Sequence, residues 1–330
     1  MRRRTILRLI AGAPLLPWAC AATAQAGVLK TVGVLIALPE SDPSVPDRIA
    51  GFEAGLRDFG WMAGRNVQLR YHFAADTKQL PSLASELVAS APDVVVASSG
   101  IVVSALRRYT RTIPIVFITT SDPIGDGFLT SLARPDGNAT GFSNDLSPMG
   151  GKWVELLKQA VPGMSRVGII FNPDTAPTGG SIFIPSFEAA AKSNAVKGVT
   201  LPVRTPEEID FALAALGREP GAGLIAMPDN FNALHRGLLI AQTTRHRMPT
   251  IYPFRYFAAE GGFMSYGVDL LDLYKRSASY VDRLLKGAKV IDLPVQASTR
   301  FHLVINLKAA KALGLSLSRN MLARADEILE

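Results

Sequence analysis

Four times in this chain a short, nearly all-apolar run ends abruptly in small polar residues. Val94-Val-Val-Ala97 leads into Ser98-Ser99-Gly100, and Pro114 to Ile118 leads into Thr119-Thr120-Ser121-Asp122-Pro123. Val167 to Phe171 leads into Asn172-Pro173-Asp174, and Gly223 to Met227 leads into Pro228-Asp229-Asn230. A parallel strand covered by helices on both faces reads as a continuous apolar run. In an open α/β sheet the loop beyond the strand's carboxyl end is where ligands are held. Four such loops therefore predict a crevice lined by hydroxyls, amides and carboxylates.

The spacing of the runs extends this into a fold. From Val32 onward, strands and helices alternate as in βαβ units, with an apolar stripe at Ile49, Phe52, Leu56 and Phe59 marking the first helix. The alternation predicts a parallel, doubly wound sheet. A cluster of turn residues at Arg134 to Asn138 separates this set from a second αβ series, with strands near 166–171, 199–203, 223–227 and 249–252. Thr205-Pro206-Glu207-Glu208 has the order of an N-cap, a first-turn proline and a capping-box glutamate. Two tandem sets predict two similar lobes with a cleft between them. The tail adds a strand at 262–266, a long helix striped by Leu271, Tyr274, Ala278, Val281 and Leu285, and a last strand at 301–306.

The N-terminus reads as a leader. Arg2, Arg3, Arg4 and Arg8 precede an apolar, small-residue stretch, and Ala22-Thr23-Ala24 or Ala24-Gln25-Ala26 fits a small-x-small cleavage site. The stretch is broken by Pro14 and Pro17 and falls short of the about 20 apolar residues a spanning helix needs. Residues 1–26 are thus expected to be removed on export to the periplasm, by the Sec or the twin-arginine route, leaving no membrane insertion of the mature chain. The single cysteine, Cys20, lies in the leader behind Pro17-Trp18-Ala19, a poor lipobox, so it is read as discarded rather than lipidated. A mature chain without cysteine excludes disulfides, thiol catalysis and cysteine-ligated zinc. Of the 35 basic residues four fall in the leader, so 31 face 28 acidic ones in the mature chain. With no basic cluster interleaved with aromatics, nucleic acid is not an expected partner.

Catalytic motifs are lacking. The histidines at 72, 235, 246 and 302 show no metal-ligand spacing, and Gly221-Ala-Gly223 enters a strand instead of leaving one, unlike a dinucleotide fingerprint. No cofactor and no metal are expected.

Several runs occur together in order: Pro114-Ile-Val-Phe, Asp122-Pro123, Arg134-Pro-Asp-Gly-Asn-Ala-Thr-Gly141 and Gly261-Gly-Phe-Met-Ser-Tyr-Gly267. Leu284-Leu-Lys-Gly-Ala-Lys289, Asp292-Leu-Pro-Val-Gln296, Val304 to Leu315 and Leu322-Ala-Arg-Ala-Asp-Glu327 follow. Over nearly the whole mature chain these resemble the ABC-transporter substrate-binding proteins of the tryptophan/tyrosine type. Departures fall at Met227 to Asn232 and at Ser193 to Lys197. The resemblance implies a type I periplasmic-binding-protein fold, with two Rossmann-like lobes joined by a three-strand hinge. The expected division is 27–142 plus about 267–292 for the N-terminal lobe, and 143–266 plus about 293–330 for the C-terminal lobe. It implies capture of a small molecule, an amino acid or related carboxylate, for delivery to ABC-transporter permease subunits. The competing class is an exported α/β enzyme or a sensor using the same cleft.

For such a ligand, hydroxyls and N–H groups at a helix start suit the carboxylate. Ser98, Ser99, Thr119 and Thr120 are the candidates for it, and simple N-caps are the competing reading. Asp122 and Asp229, from opposite lobes, are the candidates for the ammonium. Asn172 lines the crevice at its strand end, and Tyr266 is the aromatic best placed to pack on the ligand. Phe142, Tyr252 and Phe231 read more readily as core.

Overall fold

The structure, a computed structural model, describes residues 29–144, 148–298 and 300–330. The expected leader, with Cys20, lies outside the described residues.

The first αβ series runs β1 (Lys30–Ile36), α1 (Val45–Asp58), β2 (Val67–Phe73), α2 (Leu80–Ala89), β3 (Val94–Ala97), α3 (Gly100–Leu106), β4 (Ile115–Thr120) and β5 (Ala139–Ser143). The second runs α4 (Met149–Ala160), β6 (Arg166–Phe171), α5 (Ile184–Ser193), β7 (Lys197–Pro202), α6 (Pro206–Leu216), β8 (Ala222–Ala226), α7 (Asn230–Leu234), α8 (Arg236–Arg245), β9 (Thr250–Tyr252), α9 (Arg255–Ala259) and β10 (Met264–Val268). The tail holds α10 (Leu270–Leu285), β11 (Gln296–Ala297), β12 (Phe301–Asn306), α11 (Leu307–Ala312), α12 (Arg319–Ala323) and β13 (Glu327–Leu329).

These strands build two sheets. One has the order β11-β5-β4-β3-β1-β2 and the other β13-β12-β10-β9-β8-β6-β7. All pairings are parallel except β10 with β12. The four apolar runs are β3, β4, β6 and β8, with nearly every residue buried. Both sheets carry helices on both faces, which is why their strands read as unbroken apolar runs.

The chain passes between the lobes three times. It leaves the first sheet after β5, since α4 packs against β8 and β9. It returns after β10, because α10 lies against α1 and the first sheet. It leaves again after β11, which pairs with β5 through Gln296 and Phe142. That pairing puts the last crossing after the expected position of about 293, because Gln296–Ala297 still belong to the first sheet. The tail also holds β13, a strand the sequence pattern did not predict, paired to β12 through Ile328 and Ile305. Its Glu327, Ile328 and Leu329 are too few to establish a period.

Local chemistry fixes the joints. Trp153 on α4 is fully buried, and its Nε1 donates to the carbonyl of Tyr266 at 2.8 Å, tying the second lobe's first helix to the strand preceding the return. Thr140 Oγ1 donates to the Leu293 carbonyl at 2.6 Å and pins the incoming tail to β5. At α6 the N-cap Thr205 Oγ1 accepts from Glu208 N as expected, but Glu208 Oε2 accepts from Arg204 N instead of closing the box on Thr205. Among the described residues no helix is long and apolar enough to cross a membrane.

Candidate functional site

Strand order decides where a site can form. In the first sheet, β1 feeds β2 on one side while β3 pairs on the other; in the second, β6 lies between β7 and β8 in the same way. At such switch points the loops beyond neighbouring strands part and leave a crevice. Here both crevices open into one cleft of about 190 Å³. Ala37 and Leu38 after β1 and Ser98 to Gly100 after β3 form its first-lobe wall. Asp174 to Pro177 after β6 and Pro228 to Asn230 after β8 form the other.

The expected hydroxyls divide by what they already do. Ser98 Oγ accepts from Ala37 N at 3.1 Å, and Thr119 Oγ1 donates to the Ser98 carbonyl at 2.8 Å. Both line the cleft but are engaged in shaping the β1 and β3 loops. Ser99 is different. It is the N-cap residue of α3 yet makes no capping bond, and its buried Oγ has no hydrogen-bond partner among the described residues. Asn144 Oδ1, also on the cleft wall, is likewise buried and unpartnered. Buried polar atoms are rarely left unpaired, so these two are the atoms most clearly prepared for a ligand. Thr120 Oγ1 is buried without a partner too, but Thr120 does not line the cleft; Ser121 does.

Asp122 is not a cleft residue. Its Oδ1 accepts from Gly125 N at 2.7 Å, closing the turn after β4. Four residues on, Asp126 takes the place expected of it, lining the cleft and accepting from Thr178 N of the opposite lobe at 3.3 Å. Burial raises the Asp126 carboxyl above its ordinary value; the Thr178 N–H partly opposes this and the neighbouring Asp122 charge adds to it.

Asp229 lines the cleft and is buried. It also caps α7: Oδ1 accepts from Asn232 N at 2.6 Å, and Oδ2 accepts from Asn172 N at 3.0 Å. Burial outweighs these donors and pushes its carboxyl up to about 7. Asn172 holds this arrangement from behind, its Oδ1 accepting from Asp174 N, and does not itself line the cleft. Tyr266 is away from the cleft, stacked on Phe301 with ring centroids 6.0 Å apart. The aromatic wall is instead Phe254 and Tyr256. Phe142, Tyr252 and Phe231 are buried against core partners, Tyr280, Phe257 and His235 respectively.

Besides Asp126, Asn144, Phe254 and Tyr256, the sequence pattern did not single out Arg48, in the first turn of α1 and only 9% exposed. Its guanidinium lies over the rings of Tyr256 at 5.4 Å and Tyr274 at 5.9 Å. A basic residue near a helix start ordinarily reads as solvated surface, and only the closure of two distant segments over it removes it from water. Among the described residues no cluster of three or more His, Cys, Asp or Glu is arranged to hold a metal.

Residues 32–329 match the family profile described as ABC transporter substrate binding protein. The chain belongs to this family. The family binds solutes rather than transforming them, and the name couples a small-molecule substrate to a transporter. Among its relatives is a tyrosine-binding protein of Clostridioides difficile, 27% identical over 272 residues, covering 82% of this chain and 77% of that protein. A conserved domain protein of Vibrio cholerae superposes with a TM-score of 0.83 at 27% identity, covering 91% of this chain and all of that one. An ABC domain from Streptococcus pneumonia in complex with L-Trp gives 0.82 at 23% identity, covering 92% of this chain and 100% of that one. The fold is that of type I periplasmic binding proteins.

Proposed function

We propose that this chain captures an amino acid outside the cytoplasm, in the cleft between its lobes, and passes it unchanged to the permease of an ABC transporter. One observation carries this reading: the switch-point loops of both sheets meet in a single cleft whose walls hold unpartnered acceptors and donors beside carboxylates. Such a wall suits a zwitterion. Ser99, assisted by Ser98 and Thr119, receives its acid group. Asp229 and Asp126 face its ammonium, and Phe254 and Tyr256 cover its side chain. The tyrosine-binding relative and the L-Trp complex support an aromatic amino acid as the first solute to try.

Residues 1–26 act in this reading as the export leader, and the mature chain works in the periplasm. Its lobes are 29–144 with about 269–297, and 148–268 with about 300–330. The test is to purify the mature protein natively from the periplasm, then identify released solute by mass spectrometry and the new N-terminus by sequencing. Stoichiometric, unmodified amino acid and a start near Gln25 or Gly27 are expected. A chemically altered product, or an intact Met1, would overturn the reading.

A further inference from the structure

Among the described residues the cleft wall carries three carboxylates, Asp126, Asp174 and Asp229, and a single cation, Arg48. A buried cation is normally paired, because an isolated charge out of water is costly. Arg48 has no carboxylate within 4.0 Å among the described residues; the acid closest in influence, Asp42, is bonded to Arg236. What surrounds Arg48 instead are two tyrosine rings. Tyr274 comes from α10 of its own lobe and Tyr256 from α9 of the other. Neutral tyrosines next to a guanidinium supply no counter-charge, so its planar fork of N–H donors keeps the capacity to take a bidentate carboxylate from the cleft. Tyr274 Oη is buried beside it and accepts no well-formed hydrogen bond among the described residues, so it too can turn to an incoming acid group.

Resting on the amino-acid reading above, we propose that Arg48 receives the ligand's carboxylate, so that the cleft selects carboxylic acids over amines and neutral polyols of similar size. Ser99 then contributes a neutral hydrogen bond to the same acid group, and Arg48 supplies its counter-charge. Because Tyr256 reaches Arg48 only when the lobes are together, a carboxylate on Arg48 also stabilises the closed arrangement. Discrimination resides in the missing partner: an amine without an acid group leaves the guanidinium buried and unpaired.

The experiment measures binding of L-tyrosine, L-tryptophan and tyramine, the last being tyrosine without its carboxylate, to wild-type protein and to Arg48→Gln and Arg48→Lys by calorimetry. Wild type should bind L-tyrosine or L-tryptophan and reject tyramine. In Arg48→Gln, affinity for the amino acid should fall roughly 30-fold or more, while tyramine, no longer set against an unpaired guanidinium, should bind no more weakly than to wild type. Arg48→Lys, which keeps the charge but loses the fork, should lie between them. Thermal melting of each unliganded variant verifies folding, and the lysine variant carries the test should the glutamine variant fail to fold. An unchanged ratio of amino-acid to amine affinity in the variants overturns the role of Arg48 while leaving the amino-acid reading standing. Wild type that binds none of the three probes overturns both.

Discussion

Arg236 Nη1 donates to Asp42 Oδ2 at 2.5 Å, joining α8 of the second lobe to the loop after β1 of the first, and both side chains are less than a tenth exposed. The same guanidinium donates through Nε to Glu260 of its own lobe at 2.8 Å, and it lies over the Tyr256 ring at 5.3 Å. Two lighter bonds cross the same gap, from Asn230 Nδ2 to the Ala37 carbonyl and from Thr178 N to Asp126. The lobes are therefore held closed chiefly by one ion pair on the cleft's rim.

The two halves of that pair are not equivalent. Asp42→Asn leaves Arg236 still compensated by Glu260, whereas Arg236→Gln takes the cation from two carboxylates at once and leaves Asp42 with only its Ser44 donors. Loss of one partner in a buried charged contact costs about 2 kcal/mol or more, which is roughly 30-fold in affinity for a ligand that needs the closed state. Arg236→Gln should thus weaken ligand binding more than Asp42→Asn. Small-angle scattering of the liganded protein should show the larger radius of gyration in Arg236→Gln. Equal, wild-type compaction in both variants would mean that the clasp does not hold closure. Burial opposes ionisation of Asp42, but Arg236 and the Ser44 donors outweigh it and hold the carboxyl below its ordinary value. A depressed carboxylate contributes above its ordinary pKa and is lost only as pH falls through the lowered one. Compaction should accordingly persist from pH 8 down to 5.

Ser98 and Ser99 are adjacent hydroxyls with opposite expected phenotypes. Ser98 Oγ satisfies Ala37 N, so Ser98→Ala orphans a buried N–H and should lower stability by about 1–3 kcal/mol. Ser99 Oγ has no partner among the described residues, so Ser99→Ala should leave melting unchanged and cost binding about 0.5–1.5 kcal/mol, the worth of one neutral hydrogen bond. Parallel thermal melts and calorimetric titrations with L-tyrosine separate the two. Wild-type affinity in Ser99→Ala would remove this hydroxyl from the site.

How much of this was legible in the sequence follows from range. The runs at Val94, Ile115, Val167 and Gly223 gave the strands because burial on both faces needs no information from elsewhere in the chain. The same runs located the crevice, since the loops after β3, β6 and β8 do line it. Choosing among neighbours failed where geometry below the level of pattern decides. Asp122 and Asp126 share one loop, and a turn too local to read from pattern, with Gly125 N bonded to the Asp122 side chain and Asp126 N to its carbonyl, leaves the second of them on the cleft. Tyr266 lies in the middle of β10, which runs on to Val268 instead of ending at 266, and its ring stacks on Phe301 of the antiparallel strand β12 that the pattern did not orient. Arg48 was invisible because its burial depends on Tyr256 and Tyr274, more than 200 residues away in the sequence.

The crossing of α10 back to the first lobe can be tested through one glycine. Gly55 on α1 faces the backbone of α10 so closely that an added Cβ would lie 2.3 Å from the Lys275 carbonyl oxygen and 2.8 Å from Ala278 Cβ. Backbone cannot yield as a side-chain tip can, and overpacking of this kind costs about 1–3 kcal/mol. Gly55→Ala should therefore lower the melting temperature by several degrees. Gly237→Ala, in α8 with open space around it, should raise stability by up to about 1 kcal/mol through helix propensity alone. If Gly55→Ala melts like wild type, α10 does not pack on α1 in solution.

Asp229 sets the expected pH dependence. Burial pushes its carboxyl up to about 7, against the N–H groups of Asn232, Asn172 and Phe231 that favour the ion. The folded chain consequently keeps a proton that the unfolded chain has released between about pH 4 and 7, so this group's contribution to stability is complete at the acid end and is lost as pH rises to about 7. A ligand ammonium pairs only with the ion. Binding of L-tyrosine below pH 7 should then expel a proton, and affinity should rise with pH, by at most tenfold per unit, until it levels near 7. Titrations at pH 6 in buffers of different ionisation enthalpy measure that proton directly. Asp229→Asn removes the ionisation, so its remaining affinity should be flat from pH 6 to 8. Wild-type binding that releases no proton at pH 6, with affinity independent of pH, would leave Asp229 as the cap of α7 and pass the ammonium to Asp126.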